Sequence, residues 1–192
     1  MHLGLTIAQD DAARPGRPAT PELPEWRWET IAGPVLTALG HTPLPRVWWV
    51  PAGPLGLLPL HAAGVRGGPS ALDRVVSSHT PTVRALLHAR RRPVAETRTQ
   101  LADTMRRTPG MADLTGTAAE AFQLAGYRHV VATLWPVDDT VAAMAARRFC
   151  RLLGDSPTAD GATHALHETT CRPRDRFPGA PGLWAPFVHS AP

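Results

Sequence analysis

The sequence predicts an α/β fold, with a mostly parallel β-sheet flanked by helices. Two short apolar runs, at 47–50 and 129–134, are rich in aromatic and β-branched residues and are typical of buried strands. Segments with apolar residues every three or four positions, at 26–39 and 140–153, are typical of amphipathic helices. Because strand-like and helix-like segments alternate along the chain, they indicate the α/β class.

The length of the chain predicts one domain. Its 192 residues fall within the roughly 100–200 residues of a single domain. Residues 1–25 are rich in proline and acids, so we expect a flexible lead-in followed by a folded domain at 26–192. No apolar run approaches the roughly 20 residues of a membrane-spanning helix, and the first residues do not resemble a secretory signal. We therefore expect a cytoplasmic protein with no membrane association.

The first half of the domain predicts one helix, two strands and a second helix. The stripe at 26–39 is followed by Gly40, which favours helix termination, and Pro34 within it predicts a kink or the true first turn. A proline-rich turn follows the first strand, and VVSS at 75–78 predicts a second. Thr80-Pro-Thr then suits the cap and first turn of a helix that reaches about residue 91.

The basic residues predict a solvated surface more than a nucleic-acid site. The net charge is only +4 although the sequence pI is about 10.3, because every basic residue is arginine, which keeps its proton to very high pH. The absence of lysine and asparagine is typical of a GC-rich bacterial gene. The densest cluster is Arg90–Arg92, with pairs at 106–107 and 147–148. We interpret the cluster as a helix end in solvent, so nucleic acid is not the expected partner.

Further elements complete the prediction in the second half. A short helix is expected at 118–124, a helix at about 162–170, and an edge strand at 183–189 that its aromatic residues hold in place. Between them, the run at 129–134 predicts a buried strand, and Gly154 is expected to end the helix at 140–153. The sequence thus predicts a strand–turn–helix corner around 135–139.

Five motifs together resemble the CHAT domain family. They cover most of the chain after residue 26: WVPAGPLGLLPLHAAG (49–64) with RVVSSHTP (74–81), TPG (108–110), AFQLAGYRHVVATLWPVDD (121–139) and LWAPFVH (183–189). The resemblance implies a caspase-like and separase-like α/β domain. It also implies the chemistry of the family's active members, which are cysteine peptidases with a His–Cys dyad.

The same resemblance implies that the dyad has been lost. In the family, a His-Gly pair and a Ser-Ala-Cys segment fall between the motifs matched here by 108–110 and 121–122. In this chain those motifs are almost adjacent, so we infer an internal deletion near 110–121 and a truncated caspase-like fold. Asp103, where the family has an apolar strand residue, indicates further damage, because a buried unpaired carboxylate is costly. No catalytic residue is predicted.

The remaining cysteines and histidines do not form an evident replacement site. Cys150 is expected half-buried on a helix flank, and Cys171 in a loop where Arg172 and Arg174 could lower its pKa. His61 and His129 are expected to pack in or near the core. His164 and His167 are three residues apart on one helix face, but we do not expect them to form a metal site. Neither a metal nor another cofactor is predicted.

Asp138 and Asp139 are the candidate substrate-binding residues. Either can cap the following helix, where an acid is also favoured by the helix dipole. In separase-like relatives, an acidic residue at this corner lines the pocket for a basic side chain. The resemblance therefore implies that these carboxylates contact a basic residue of a peptide, and the two roles are compatible.

Three functional hypotheses follow. The first is a non-catalytic member of the peptidase family that acts by binding a protein or peptide. The second is a cysteine peptidase that cleaves after basic residues with Cys171 or Cys150 and a displaced histidine. The third is a basic nucleic-acid accessory protein. Because a deletion in the sheet would leave apolar strand edges exposed, we also expect self-association.

Overall fold

The computed structural model describes residues 22–40, 44–91, 99–101, 129–154 and 159–190. The α-helices are α1 (Glu22–Arg27), α2 (Gly33–Ala38), α3 (Ala71–Arg74), α4 (Val83–Arg91), α5 (Asp139–Leu153) and α6 (Ala159–Arg176). The strands are β1 (Arg46–Trp49), β2 (Val76–His79), β3 (Thr99–Leu101), β4 (His129–Thr133) and β5 (Phe187–Ser190). Short 3₁₀ turns occupy Gly53–Leu57, Leu60–Ala62 and Pro181–Leu183. The α/β class is confirmed.

The five strands form one mixed sheet in the order β1-β2-β5-β4-β3. Three of the four pairings are parallel, and only β4 with β5 is antiparallel. Among the described residues, the outermost strands β1 and β3 have four and three residues, so each is short. The predicted mostly parallel sheet is confirmed.

The last strand lies at the centre of the sheet, not at its edge. β5 pairs with β2 on one side and β4 on the other, and all four of its residues are buried. The expectation of an edge strand at 183–189 was therefore wrong. Residues 183–186 are not strand, and the aromatic-rich segment leads directly into the middle of the sheet. A short apolar run is compatible with either position, because its side chains do not specify how many neighbours its backbone has.

The N-terminal helix is longer than predicted and is interrupted. It begins at Glu22, so residues 22–25 belong to the folded domain and not to the lead-in. A π-helical turn, Trp28–Ala32, separates α1 from α2, whose second residue is Pro34. Because proline has no backbone N–H and crowds the preceding turn, a local change of helix type just before it relieves the conflict. The predicted disturbance at Pro34 is confirmed.

Two apolar clusters flank different parts of the sheet. The first joins the N-terminal helix to β1 and the turn after it, through Leu23, Leu36, Trp49, Leu58 and Leu60 among others. The second packs α5 and α6 against β4 and β5 through Val131, Phe149, Ala162, Ala165, Leu166 and Phe187. The corner before α5 is therefore supported by a packed core on its helix side.

Helix α6 extends well beyond the predicted 162–170 and contains Pro173. A proline inside a helix costs about 3 kcal/mol, so tertiary contacts must offset it. Arg174 makes two such contacts: its guanidinium lies 2.8 Å from Asp73 Oδ1 and donates to Ser70 Oγ at 2.9 Å. Asp175 Oδ1, in the next residue of the same helix, lies 2.6 Å from this guanidinium. The two contacts connect the last turn of α6 to α3 and its N-cap, Ser70.

Several predictions fall outside the described residues. These are the lead-in up to residue 21, the TPG motif at 108–110, the helix at 118–124, the deletion near 110–121, Asp103 and Arg92. The second predicted strand, by contrast, is confirmed as β2. The prediction that Thr80 caps the next helix was wrong: α4 begins at Val83, and Thr82 Oγ1 accepts a hydrogen bond from the N–H of Ala85 at 3.0 Å, because the helix starts two residues after Pro81.

Candidate functional site

The strand–turn–helix corner has the predicted geometry. β4 ends at Thr133, α5 begins at Asp139, and the helix ends at Leu153 before Gly154, which has a φ of +67°. Asp138 has an extended backbone, and its Oδ1 accepts a hydrogen bond from the N–H of Thr140 at 2.8 Å. Asp138 is therefore the N-cap of α5, as one of the two predicted acids.

Both candidate acids lie at the surface of this corner. Asp138 and Asp139 are exposed, and Asp139 follows in the first turn of α5. At the amino end of a helix, carboxylates are stabilised by the helix dipole. The structure thus places both acids at the exposed amino end of α5.

Cys171 and His167 lie close together, but neither is activated. Cys171 lies inside α6 and not in a loop, one turn after His167, with its Sγ 3.5 Å from His167 Nε2. Burial raises the pKa of the Cys171 thiol to about 11, and the nearby Arg174 only partly opposes this. Burial also lowers the pKa of His167. The expectation that arginines depress the thiol pKa was wrong, because desolvation outweighs them.

Cys150 is exposed in the last turn of α5, although we expected it to be half-buried. Its neighbour Phe149 is the residue of this turn that enters the core. No histidine nitrogen of the described residues is recorded within hydrogen-bond distance of Cys150. Both cysteines are free thiols, and neither one forms a thiolate–imidazolium pair.

A row of polar side chains crosses the interior of the sheet, and the sequence did not reveal it. Arg46 Nε on β1 donates to Ser78 Oγ on β2 at 3.2 Å. Ser78 Oγ lies 3.0 Å from His189 Nδ1 on β5, and His189 Nε2 lies 3.1 Å from His129 Nδ1 on β4. Thr163 of α6 also reaches His189 Nδ1 at 3.3 Å. Four strands are thus joined by one chain of side-chain hydrogen bonds.

The central members of this polar row are sealed from solvent. Ser78, His129, His189 and Thr163 each expose at most 1% of their surface. Burial, followed by the nearby His129, holds the pKa of His189 well below its usual value. A neutral histidine can donate from one nitrogen and accept at the other, so His189 can bond Ser78 and His129 at the same time without carrying a charge. Such a sealed row supports the fold and cannot reach a substrate.

A second group of histidines surrounds a small internal cavity. His61, His79, His167 and His189 are among the residues that line a cavity of about 20 Å³, and the rings of His61 and His79 meet edge to face at 5.7 Å. Burial lowers the pKa of His79 to about 4 and that of His61 well below its usual value. A cavity of this size has room for a single water molecule and not for a substrate.

The signal for these histidines was present but ambiguous. Ser78 lies between Ser77 and His79 in β2, and His189 lies between Val188 and Ser190 in β5, so each could be placed on a definite face only once the pairing was known. His129 is two residues from Val131, the partner of His189, and hence lies on the same face. His61 and His129 were correctly expected in the core. Within the described ranges, no three His, Cys, Asp or Glu residues are arranged to hold a metal ion.

The arginine cluster at the end of α4 contacts an aromatic ring. The guanidinium carbons of Arg90 and Arg46 lie 4.6 and 4.4 Å from the ring centroid of Trp48. The contact packs the end of α4 against Trp48 of β1. In the part of the chain that is described, no helix is long and apolar enough to cross a membrane.

Comparison with known proteins supports the resemblance seen in the motifs. The family model of the CHAT domain matches residues 102–192, a range that includes the 135–139 corner, both cysteines and β5. The motifs at 49–64 and 74–81 precede the matched range. No curated protein and no solved structure matches the chain.

Proposed function

The chain carries a CHAT domain, and from this membership we propose that it is a non-catalytic member of the family that acts by binding a protein or peptide. The observation that carries the proposal is the state of its only two cysteines. One is a half-buried helical thiol with a pKa of about 11, and the other is an exposed residue of a helix end. Two free thiols also suit the reducing cytoplasm, which we propose as its compartment.

A cysteine peptidase needs more than a thiol near an imidazole. The nucleophile must be ionised, and its base must be placed to take the proton while oxyanion donors face the substrate carbonyl. Cys171 and His167 are one helical turn apart, yet the raised thiol pKa and the lowered histidine pKa both favour the neutral pair. Backbone N–H groups in the middle of α6 are used by the helix and cannot form an oxyanion hole.

The binding role uses the surface that the fold retains. The corner before α5 is packed from below and presents Asp138 and Asp139 to solvent. We propose that these carboxylates contact a basic side chain of the partner, as their counterparts do in separase-like relatives. This ionic contact requires only the negative charge of the carboxylates, so it does not depend on the catalytic dyad.

A reactive-probe experiment tests the lack of catalysis. The protein is incubated with a peptidyl acyloxymethyl ketone that carries arginine before the reactive group, and intact mass is measured. A cysteine peptidase that cleaves after arginine serves as the positive control. We expect no adduct and no hydrolysis of the matching fluorogenic peptide. Turnover that is lost in Cys171→Ala and kept in Cys150→Ala would establish the peptidase instead.

The binding role is tested with the same peptide sequence lacking the reactive group. Asp138→Asn with Asp139→Asn removes both charges while asparagine still caps the helix. We expect this double variant to bind the arginine peptide several-fold more weakly than the parent, by fluorescence anisotropy, at unchanged thermal stability. Equal affinity would exclude the corner as the contact.

A further inference from the structure

A groove between α5 and α6 combines an apolar floor with a basic rim. It encloses about 380 Å³, within the roughly 300–1,000 Å³ typical of ligand pockets. Its apolar lining includes Val141, Met144, Phe177 and Leu183. Met144 and Phe177 expose 66% and 46% of their surface, which is unusual for such large apolar side chains. The floor of the groove is therefore available for contact.

The rim concentrates the positive charge of the molecule. Five arginines line the groove: Arg147, Arg148, Arg151, Arg172 and Arg176. They carry more charge than the +4 net charge of the whole chain, and none of the described lining residues is acidic. Arg148 also donates to the carbonyl of Glu168, which fixes one guanidinium beside the groove. An occupant must be apolar on one side and negatively charged at its flanks.

We infer that this groove, called the α5–α6 groove below, binds an acidic amphipathic segment of a partner protein, with apolar side chains on its floor and carboxylates on its arginines. The inference rests on the proposed binding function and assigns the chemistry of the partner. A groove between two packed helices can accept a third helix through anchors spaced at three and four residues. Methionine in the floor suits this role, because its flexible side chain adapts to different apolar shapes.

Charge and polarity argue for this occupant over others. A second copy of the chain would bring the same five arginines to a symmetric interface, where like charges repel. Nucleic acid would satisfy the rim but leave Val141, Met144 and Leu183 uncovered, since bases stack on aromatic faces. An acidic amphipathic helix satisfies both parts of the groove at once.

Fluorescence anisotropy with synthetic peptides tests the inference on the full chain. The probe is a fluorescein-labelled peptide of about 14 residues, near the length at which a helix becomes marginally stable in water. It carries leucines at i, i+3, i+4 and i+7 with glutamates between them. A second peptide has lysine in place of each glutamate, and a third has the leucines scrambled. We expect binding of the first alone, and weaker binding as salt rises.

Variants of the groove locate the site. Arg147→Glu with Arg151→Glu should weaken binding at least 10-fold, and Met144→Asp should weaken it similarly, whereas Met144→Leu should bind as the parent does. Arg66→Glu with Arg84→Glu, two exposed arginines outside the groove, makes the same change in net charge and should bind normally. An equal loss in this control would show that overall charge, and not the groove, is responsible.

Each other occupant would overturn the inference by a specific result. Displacement of the probe by duplex DNA with a steep salt dependence would identify a phosphate site. Concentration-dependent mass in sedimentation, abolished by Met144→Asp, would identify a second copy. If the groove variants bind the peptide as tightly as the parent and the arginine probe forms no adduct, this inference is excluded and the proposed non-catalytic function remains. Peptide turnover would remove the proposed function itself.

Discussion

Ser78 Oγ and His189 Nδ1 lie 3.0 Å apart in the sealed interior of the sheet, although 111 positions separate them in the chain. The contact joins the N-terminal strands to the central strand β5, which also pairs with β4. Thr163 of α6 reaches the same nitrogen of His189 at 3.3 Å. One histidine thus links a helix and three strands, so its neighbours should be energetically coupled.

The first prediction concerns this coupling. Ser78→Ala should destabilise the protein by about 1–3 kcal/mol, because a buried partner of His189 and of Arg46 is lost. Ser78→Ala combined with Thr163→Val should cost more than the two single changes added, since Nδ1 of His189 then has neither hydroxyl. Urea unfolding of the four proteins measures this interaction free energy. Simple additivity would show that the two hydroxyls act independently.

The second prediction is that stability falls as pH is lowered. His61, His79 and His189 have pKa values lowered by burial, so below about pH 6.5 the unfolded chain binds protons that the folded chain excludes. The stabilisation that these neutral histidines provide is complete above pH 6.5 and is lost as pH falls through their pKa values in the folded protein. For His79 this pKa is about 4. His79 alone should contribute about 3 kcal/mol of this loss at pH 4. Thermal melts from pH 7.5 to 4 measure it.

The matched variants for this prediction are His79→Phe and Met144→Leu. His79→Phe removes one buried titrating ring and should flatten the fall in stability between pH 6.5 and 4. Met144 is exposed on α5 and has no titrating group, so Met144→Leu should keep the slope of the parent protein. If the two variants show the same slope, His79 is not one of the groups responsible.

The third prediction concerns the cap of α5. Asp138→Ala should destabilise the protein by about 1 kcal/mol, because the N–H of Thr140 loses its acceptor. Asp138→Asn should retain most of the stability, since the amide oxygen can accept the same bond. Asp139→Ala should cost less, because an acid in the first turn contributes only about 0.3–1 kcal/mol through the helix dipole. Chemical denaturation gives the ranking, and a larger loss from Asp139→Ala would contradict it.

The fourth prediction separates the two thiols by reactivity. Iodoacetamide at pH 7.5 should modify Cys150 first, since it is exposed, and should reach Cys171 slowly, because a pKa of about 11 leaves little thiolate. Mass spectrometry of Cys150→Ser and Cys171→Ser follows each thiol alone. Lowering the salt or changing His167→Ala should not accelerate Cys171. Faster alkylation at Cys171 than at Cys150 would show an activated nucleophile and revive the peptidase hypothesis.

The local elements were predictable because their signals lie within a few residues. An apolar run, Asp138 as a cap, an apolar stripe and Gly154 placed the corner and α5 within a residue or two of their observed bounds. The motif at 121–139 was sufficient to identify the family. In each case the physical cause is local, since capping and amphipathic spacing depend on neighbours along the chain.

The predictions that failed concern features that depend on contacts between distant parts of the chain. Cys171 was expected to have a lowered pKa from two nearby arginines, but α6 continues through Pro173 and half-buries the thiol, and desolvation then dominates. The continuation contacts Asp73 and Ser70, about 100 residues earlier. Local composition could not indicate it.

The amino-acid sequence by itself determined the α/β class, the corner at 135–139, the amphipathic face of α5 and the resemblance to the CHAT family. Only the tertiary structure decided that β5 is central, that Ser78, His189 and His129 form one polar row, and that the arginines of α5 and α6 share one groove. The physical reason is that strand order and helix packing set which side chains meet. Those choices depend on burial summed over the whole chain, whereas propensities and caps act within a single turn.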